Sequence, residues 1–259
     1  MRSLREVWEG GAAHYGAWLH IPNSFTAELV GRSGYDWVCI DSQHGFAGPE
    51  SWVSMLQALD LAGVPGVVRV PWNEPSVIMR ALDSGAEGVI VPMVNTAEEA
   101  RAAVAACRYA PSGSRSWGPS RARLRTADYS PAKGDRLVVC VVMVETRRAV
   151  DNLDEILAVP GIDGVFVGPN DLAVSANLPP SYEASDPEHR RLINRIREGC
   201  AEHGITAGIQ ADKPELAARW VADGFRMLAL NAESRLLQMA AEDLVRQTRA
   251  IVGGTPSKS

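Results

Sequence analysis

The chain has 259 residues, a formal net charge of −5 and 46% hydrophobic residues, composition that is ordinary for a globular protein with a sizeable core. No basic block and no apolar run of the roughly 20 residues that span a bilayer is present, which argues against nucleic acid and membranes as partners. The first residues lack the apolar core of a signal peptide, and the four cysteines have no metal or redox spacing. These features predict a reducing, cytoplasmic location.

Short apolar runs alternate with helical segments along the chain. The predicted strands are residues 16–21, 37–40, 67–70, 88–91, 137–144, 164–167, 206–209 and 227–230. The predicted helices are residues 4–9, 25–32, 49–61, 75–84, 96–108, 147–157, a short one near Asp171, 187–203, 214–222 and 234–251.

About eight strand–helix units without an internal linker predict an α/β protein with a single (β/α)₈ TIM barrel. The barrel is expected to take up residues 1–252, and residues 253–259 are expected to form a flexible tail. Residues 111–133 interrupt the alternation with no steady period. Loops of that length are usually functional lids or flexible segments.

Chemically capable side chains stand where several of the predicted strands end. Asp41 and His44 follow the second strand, Arg69 lies in the third, and Glu145 and Asp171 follow the fifth and sixth. Because catalytic groups of such barrels sit at the carboxyl ends of the strands, these residues are expected to face one site.

Glu145 and Asp171 are the strongest metal-ligand candidates. Two carboxylates with substrate oxygens and water suit a hard divalent ion such as Mg²⁺ or Mn²⁺. The alternative for each is an acid that interacts with a helix N-terminus. Their matching positions on successive strands favour the metal interpretation.

His44 and Arg69 each allow a catalytic and a structural interpretation. His44 can act as a general base, although most single loop histidines are solvated or hydrogen-bonded. Arg69 needs an anionic substrate or a structural pair with Asp41 or Glu145, since burying an unpaired cation is costly.

Two further features narrow the chemistry. Residues 168–171 place main-chain N–H groups at a helix start, which suits a carboxylate or phosphate, but the loops after the last two strands lack the glycines of a phosphate site. The three lysines, Lys133, Lys213 and Lys258, all lie outside predicted strands. Imine catalysis is therefore less favoured than Lewis-acid catalysis.

The order of motifs resembles the HpcH/HpaI family of metal-dependent (class II) pyruvate aldolases along nearly the whole chain. The segments that carry the resemblance are GAWL (16–19), DWVCID (36–41) with Gln43 and His44, VRVPWNEP (68–75), LDSGA (82–86), VPMV (91–94), VETR (144–147) and DGVFVGPNDL (163–172).

The resemblance implies an aldolase that joins pyruvate or hydroxypyruvate to an aldehyde through a divalent metal, Mg²⁺ or Mn²⁺ with Co²⁺ as a third possibility. Glu145 and Asp171 would hold that metal. His44 would be the base, with Asp83 increasing its basicity, and Arg69 would stabilise oxyanion charge.

It further implies that Gly168, Pro169, Asn170 and Asp171 bind the carboxylate of the donor. Asp41 and Gln43 would contact the residues that bind substrate and metal, without contacting the substrate themselves. Members of the family are typically hexamers, built as trimers of dimers, with the final helix exchanged between subunits. No nucleic-acid or membrane partner is implied.

The sequence departs from many family members at Gln43, where they have Glu, and at Met143, where they have Gln. Donor and acceptor preference therefore stay open. So do three alternatives: an oxo-acid decarboxylase, a CoA-thioester lyase that would use the Arg-rich segment 115–125, and a non-catalytic metabolite-binding barrel. The last is disfavoured because the catalytic candidates are all present.

Overall fold

A computed structural model describes residues 3–8 and 11–253 as a closed barrel of eight parallel strands. Each strand pairs with its neighbours in chain order, and the eighth pairs with the first. The strands are β1 His14–Leu19, β2 Trp37–Asp41, β3 Gly66–Arg69, β4 Gly88–Val91, β5 Val139–Val144, β6 Gly164–Val167, β7 Thr206–Ala211 and β8 Met227–Ala232.

Helices surround the barrel and connect its strands. Within the described ranges they are α1 Leu4–Trp8, α2 Ser24–Gly31, α3 Pro49–Ala62, α4 Pro75–Asp83, α5 Ala97–Cys107, α6 Ala122–Arg125, α7 Pro131–Leu137, α8 Arg147–Asp151, α9 Leu153–Leu157, α10 Pro169–Ser175, α11 Pro187–Glu202, α12 Pro214–Asp223 and α13 Glu233–Val252. Several begin with caps that the sequence specifies locally, such as the capping box of Thr96 and Glu99 on α5.

The predicted single (β/α)₈ barrel is confirmed, with all eight strands in the expected places. The clearest boundary difference is at β1, which ends at Leu19 instead of residue 21. The main-chain N–H groups of His20 and Ile21 leave the sheet there and donate to the carboxylate of Glu233. A distant acid thus ends the strand.

The predicted helix 147–157 is two short helices, α8 and α9. Asn152 separates them, and its side-chain amide donates to the main-chain oxygen of Asn95 at 2.8 Å. This contact between residues far apart in the chain could not be read from the local apolar period.

Residues 111–133, whose length suggested a functional lid or a flexible loop, are partly helical. They contain α6 and the start of α7, which extends through Leu137. Arg121 and Arg125 of this segment form ion pairs with Asp60, and Arg125 also pairs with Glu87. The segment is therefore bound to the neighbouring α3 and β4 region.

Two apolar layers hold the barrel together, one between strands and helices and one inside the strands. Trp18, Trp37 and Phe166 fill the inside, with Trp18 edge-on to both other rings. Leu4 of α1 is fully buried in this inner layer and donates its N–H to Glu87. Helix α1 thus packs against the end of the barrel opposite the site described below. The predicted end of that helix at Glu9 lies outside the described residues, as do residues 254–259 of the predicted tail 253–259; Gly253 is described as the C-cap of α13.

The cysteines are buried and unpaired, and Cys39 and Cys140 lie in β2 and β5 as predicted. Of the helices in the described part of the chain, none has the length and apolar character needed to cross a membrane.

Substitution of Gly16 tests how closely the side chains inside the barrel are packed. Gly16 pairs with the fully buried Trp37, and a Cβ at Gly16 would overlap the indole ring. We expect Gly16→Ala to lower the free energy of unfolding by about 2 kcal/mol. Urea denaturation followed by circular dichroism measures this change. The matched control is Gly164→Ala, whose nearest neighbour would be 3.3 Å away. Equal effects of the two substitutions would contradict the packing argument.

Candidate active site

The register of β2 and β3 places Asp41 beside Arg69 at the carboxyl end of the barrel. The two side chains form a two-pronged ion pair, Arg69 Nε to Asp41 Oδ1 at 2.8 Å and Arg69 Nη2 to Asp41 Oδ2 at 2.6 Å. The guanidinium also lies over the Trp18 ring, 4.7 Å from its centre. Of the two partners that the sequence left open for Arg69, the structure selects Asp41 for the direct pair.

Asp41 is fully buried, and hydrogen bonds surround its carboxylate. Oδ1 also accepts from the main-chain N–H groups of Gln43 and His44, and Oδ2 lies 3.2 Å from His20 Nε2. Burial alone raises the pKa of Asp41, but the hydrogen bonds from His20 and Arg69 and the charge of Arg69 hold it well below its usual range. The carboxylate is therefore ionised and orders both Arg69 and the loop that carries His44.

A cavity of about 230 Å³ opens above this pair. Charged, polar and aromatic side chains contributed by several strand ends enclose it. The lining residues are Trp18, His20, His44, Arg69, Met143, Phe166, Gly168, Pro169, Asn170, Asp171, Tyr182 and Gln210. The structure thus gathers six of the predicted site residues, His44, Arg69 and the run from Gly168 to Asp171, around one space.

Glu145 lies beneath the cavity wall and is 1% exposed. Burial and the nearby charge of Asp171 raise its pKa to about 7, against the opposing effects of the Met93 N–H and the charge of Arg69. Two neighbouring carboxylates, one of them buried, repel each other unless a proton or a cation lies between them. A buried Glu145 carboxyl with the charge of Asp171 nearby is therefore compatible with the predicted metal-ligand pair.

Local backbone features hold Glu145 in place. The N–H of Met93 donates to Glu145 Oε1 at 2.7 Å, and Met93 takes a left-handed conformation with φ 57° to do so. On the other side, a Cβ at Gly168 would overlap the Glu145 carboxylate. Gly168, the first residue of the predicted substrate-binding run, must therefore be glycine because the Glu145 carboxylate lies so close to it.

His44 is exposed at the cavity, and within the described ranges only its main-chain N–H has a hydrogen bond, to Asp41. Its ring is free to face a ligand. Gln43 contributes a main-chain N–H to Asp41 but does not line the cavity. Gln43 therefore contacts the site through its main chain, which donates to Asp41.

Asp83 is the one predicted catalytic residue that the structure keeps away from His44. It lines a different cavity, at the end of α4, and its Oδ1 accepts from Arg115 Nη2 at 2.8 Å. Burial raises the pKa of Asp83, with Arg115 opposing the shift. Sequence spacing could not reveal this, because Arg115 belongs to the long insertion between β4 and β5.

Three arginines of the Arg-rich segment 115–125 are committed to acids of the same chain. Arg115 pairs with Asp83, Arg121 with Asp60, and Arg125 with both Asp60 and Glu87. Paired guanidiniums are poorly suited to bind nucleotide phosphates. The structure therefore gives no support to the CoA-thioester alternative.

Several cavity residues were not singled out from the sequence. Trp18 and Phe166 come from inside the barrel, Tyr182 from the loop after α10, and Gln210 from β7. His20 had an available signal, since it directly follows an apolar run just as the acids do.

A closed (β/α)₈ barrel whose carboxyl end brings a histidine, a buried arginine and a carboxylate to one cavity has the arrangement of a (β/α)₈-barrel enzyme. The chain belongs to the HpcH/HpaI aldolase/citrate lyase family, whose sequence profile matches residues 14–240.

Two named relatives and one solved structure match nearly the whole chain. A hydroxypyruvate/pyruvate aldolase from Rhizorhabdus wittichii is 38% identical over 97% of this chain and 100% of its own length. A 4-hydroxy-2-oxo-heptane-1,7-dioate aldolase from Escherichia coli is 37% identical over 93% of both chains. A family member of solved structure from Burkholderia cenocepacia is 31% identical, with a TM-score of 0.85 over 92% of this chain and 95% of that one. The chain is accordingly a carbon–carbon lyase of the aldolase type.

The Asp41–Arg69 pair provides a stability test. We expect Asp41→Asn to lower the free energy of unfolding at pH 7 by about 3 kcal/mol, because it leaves Arg69 buried without a countercharge. Asp41 has a lowered pKa in the folded state, so its contribution is present above the ordinary carboxyl value of 3.8 and is lost as the pH falls below it.

The difference between wild type and Asp41→Asn should therefore shrink between pH 4 and pH 3. Urea denaturation at pH 7, 4 and 3 measures it. The exposed Asp212→Asn is the control and should change stability by less than about 0.5 kcal/mol. A pH-independent difference would contradict the ionised pair.

Proposed function

We propose that this protein is a divalent-metal-dependent aldolase that reversibly joins pyruvate or hydroxypyruvate to an aldehyde, forming a 4-hydroxy-2-oxo acid. The observation that carries the proposal is that His44, Arg69 and Asp171 line one small cavity, with the buried Glu145 packed directly against Gly168 of the lining. The named activities of the relatives support the substrate class.

The donor set fits a hard cation. Among the described residues no group of three or more His, Cys, Asp or Glu side chains is arranged to hold a metal, so Glu145 and Asp171 would be the ligands from protein side chains. Mg²⁺ commonly binds through one or two carboxylates, with substrate and water completing its shell. When bound, the cation would supply Lewis acidity that makes the proton beside the keto group easier to remove. The metal's identity, Mg²⁺, Mn²⁺ or Co²⁺, is part of the proposal.

Arg69 has one guanidinium nitrogen left for the substrate. Nε and Nη2 both donate to Asp41, whereas Nη1 has only the sulfur of Met143 at 4.0 Å. Nη1 is therefore the donor for the keto oxygen, on which negative charge accumulates as the proton leaves. A preorganised donor of this kind is worth about 3 kcal/mol in comparable sites.

His44 removes the proton from the carbon next to the keto group and returns it in the reverse reaction. Its exposed ring at the cavity and its ordered main chain suit this task. The main chain around Asn170 would receive the substrate carboxylate. Asp83 keeps its proposed role only if it reaches His44 from a second copy of the chain or after a rearrangement, since within one chain Arg115 holds it.

Met143 gives the cavity an apolar contact next to Arg69, where many relatives are expected to have a polar one. Trp18, Phe166 and Tyr182 extend this apolar wall. We propose that the wall favours donors and aldehydes with little polar substitution at this side. A decarboxylase acting on a related oxo acid would use the same groups, and product analysis separates the two reactions.

Helix α13 supports the proposed homo-oligomer. Along its length only Glu233 is buried, while Leu237, Leu244 and Ile251 are 64%, 67% and 86% exposed. A mostly apolar groove of about 390 Å³ lies beside its start, between Tyr15, Tyr35 and Ala217. We propose that α13 is exchanged between subunits of a hexamer, a trimer of dimers, and that the assembly is cytoplasmic.

The first experiment follows pyruvate in D₂O by proton NMR, with metal-stripped protein and then with Mg²⁺ added. We expect Mg²⁺-dependent loss of the methyl signal, strong slowing in His44→Gln, and no exchange in Glu145→Ala. Mg²⁺ without protein is the control for spontaneous exchange, and circular dichroism checks that each variant is folded.

Full exchange by Glu145→Ala would overturn the metal assignment. If wild type leaves pyruvate unchanged, hydroxypyruvate is tested in the same way. No exchange of either donor would defeat the aldolase proposal.

Metal binding should depend on pH through Glu145. Its pKa of about 7 means that a proton competes with the cation below neutrality. We expect the apparent Kd for Mn²⁺, measured by titration calorimetry, to be about tenfold higher at pH 6 than at pH 8. Glu145→Gln should bind weakly with little pH dependence. Equal wild-type affinity at both pH values would contradict this proposal.

A further inference from the structure

His20 follows β1 directly and lines the cavity, and both of its ring nitrogens are engaged by the protein. Nε2 lies 3.2 Å from Asp41 Oδ2, and Nδ1 lies 3.2 Å from the hydroxyl oxygen of Ser234. Because Asp41 is ionised, it can only accept, so Nε2 carries a hydrogen and donates. In the neutral ring, Nδ1 then accepts from the Ser234 hydroxyl.

This contact completes the set of donors around Asp41. Arg69 and the main chain of Gln43 and His44 occupy Oδ1, and Arg69 and His20 occupy Oδ2. Arg69 approaches from β3 and the main-chain donors from the loop after β2. His20 is the only side chain of the β1 end that the described residues bring to this carboxylate. It therefore restrains Asp41 from the side opposite Arg69.

The same strand end is tied to the first turn of α13. Glu233 is nearly buried, and its carboxylate accepts the main-chain N–H of His20 at 2.9 Å and that of Ile21 at 2.6 Å. Ser234, the next residue, supplies the hydroxyl that meets the His20 ring. A continuous hydrogen-bonded path thus runs from α13 through His20 to Asp41.

We propose that His20 is a positioning residue that fixes the Asp41–Arg69 pair and ties it to the start of α13. Since neither ring nitrogen is free, His20 acts through Asp41 and does not donate to the substrate. Its effect is on the direction in which Arg69 Nη1 points. The expected effect on kcat rests on the proposed function. The expected effect on the order of Arg69 rests only on the described hydrogen bonds.

The kinetic test compares two substitutions of His20. His20→Gln keeps a donor near the place of Nε2, whereas His20→Leu keeps bulk and has no donor. With Mg²⁺ and pyruvate, we expect His20→Leu to lower kcat for methyl exchange by about tenfold or more, with KM changed by less than about threefold. His20→Gln should recover most of kcat. The control is His203→Leu, because His203 is exposed at the end of α11.

Ser234→Ala removes only the hydroxyl that orients the ring and is expected to lower kcat less than His20→Leu. Because both act along one path, the double variant should be no worse than His20→Leu alone. A wild-type kcat in His20→Leu, or equal loss in His20→Gln and His20→Leu, would overturn the inference.

A structural readout does not depend on activity. Hydrogen exchange of the Arg69 Nε–H, followed by NMR of ¹⁵N-labelled protein, reports how firmly Arg69 holds Asp41. We expect exchange about tenfold faster in His20→Leu and near wild type in His20→Gln. Unchanged exchange in His20→Leu would refute the positioning role even if the protein proved inactive on both donors. Inactive wild type with the expected exchange pattern would instead refute the proposed function and leave the positioning role intact.

Discussion

The buried pair of Asp41 and Arg69 is the constraint on which the active end of the barrel depends. Taking either charge out of water alone is costly, so each is tolerable only because the other lies beside it in good geometry. The register between β2 and β3 brings them together, and the N–H groups of the following loop complete the carboxylate's shell. The same interaction therefore stabilises the sheet edge, orders the His44 loop and aims the free nitrogen of Arg69.

Glu145 and Asp171 form a second electrostatic arrangement near the cavity, in which the two groups carry charge of the same sign. Burial, together with the nearby charge of Asp171, raises the pKa of Glu145 and disfavours its ionised form. The Met93 N–H and the absence of a side chain at Gly168 make room for Glu145 without removing the repulsion. The Asp41–Arg69 pair is neutral overall and held by hydrogen bonds. Among the described residues, the Glu145 and Asp171 carboxyls have no cationic side chain between them that would balance their charge. Such a division fits the proposed function, in which a cation and an oxo-acid anion would meet at the same place.

Two further features lie outside the cavity, the insertion between β4 and β5 and helix α13. The insertion between β4 and β5 is held by arginine–acid pairs, so it presents a defined surface in which Asp83 is oriented by Arg115. Helix α13 is anchored at its start by Glu233, and most of its apolar side chains face outward. If α13 docks on a neighbour, its first turn lies only two hydrogen bonds from Asp41. The proposed assembly would then be linked through His20 to the geometry of Arg69.

The sequence by itself determined the eight strands, the barrel class and the identity of half of the cavity residues, because apolar runs and the residues that end them are local properties of the chain. Only the tertiary structure decided which charges meet. Asp41 was one of two open partners for Arg69, Asp83 was assigned to His44 but is held by Arg115, and His20 had no assigned task. These outcomes depend on the relative register of strands and on an insertion folding back across the barrel. Both arise from contacts between segments that are far apart in the chain, and local composition and periodicity do not show which segments meet.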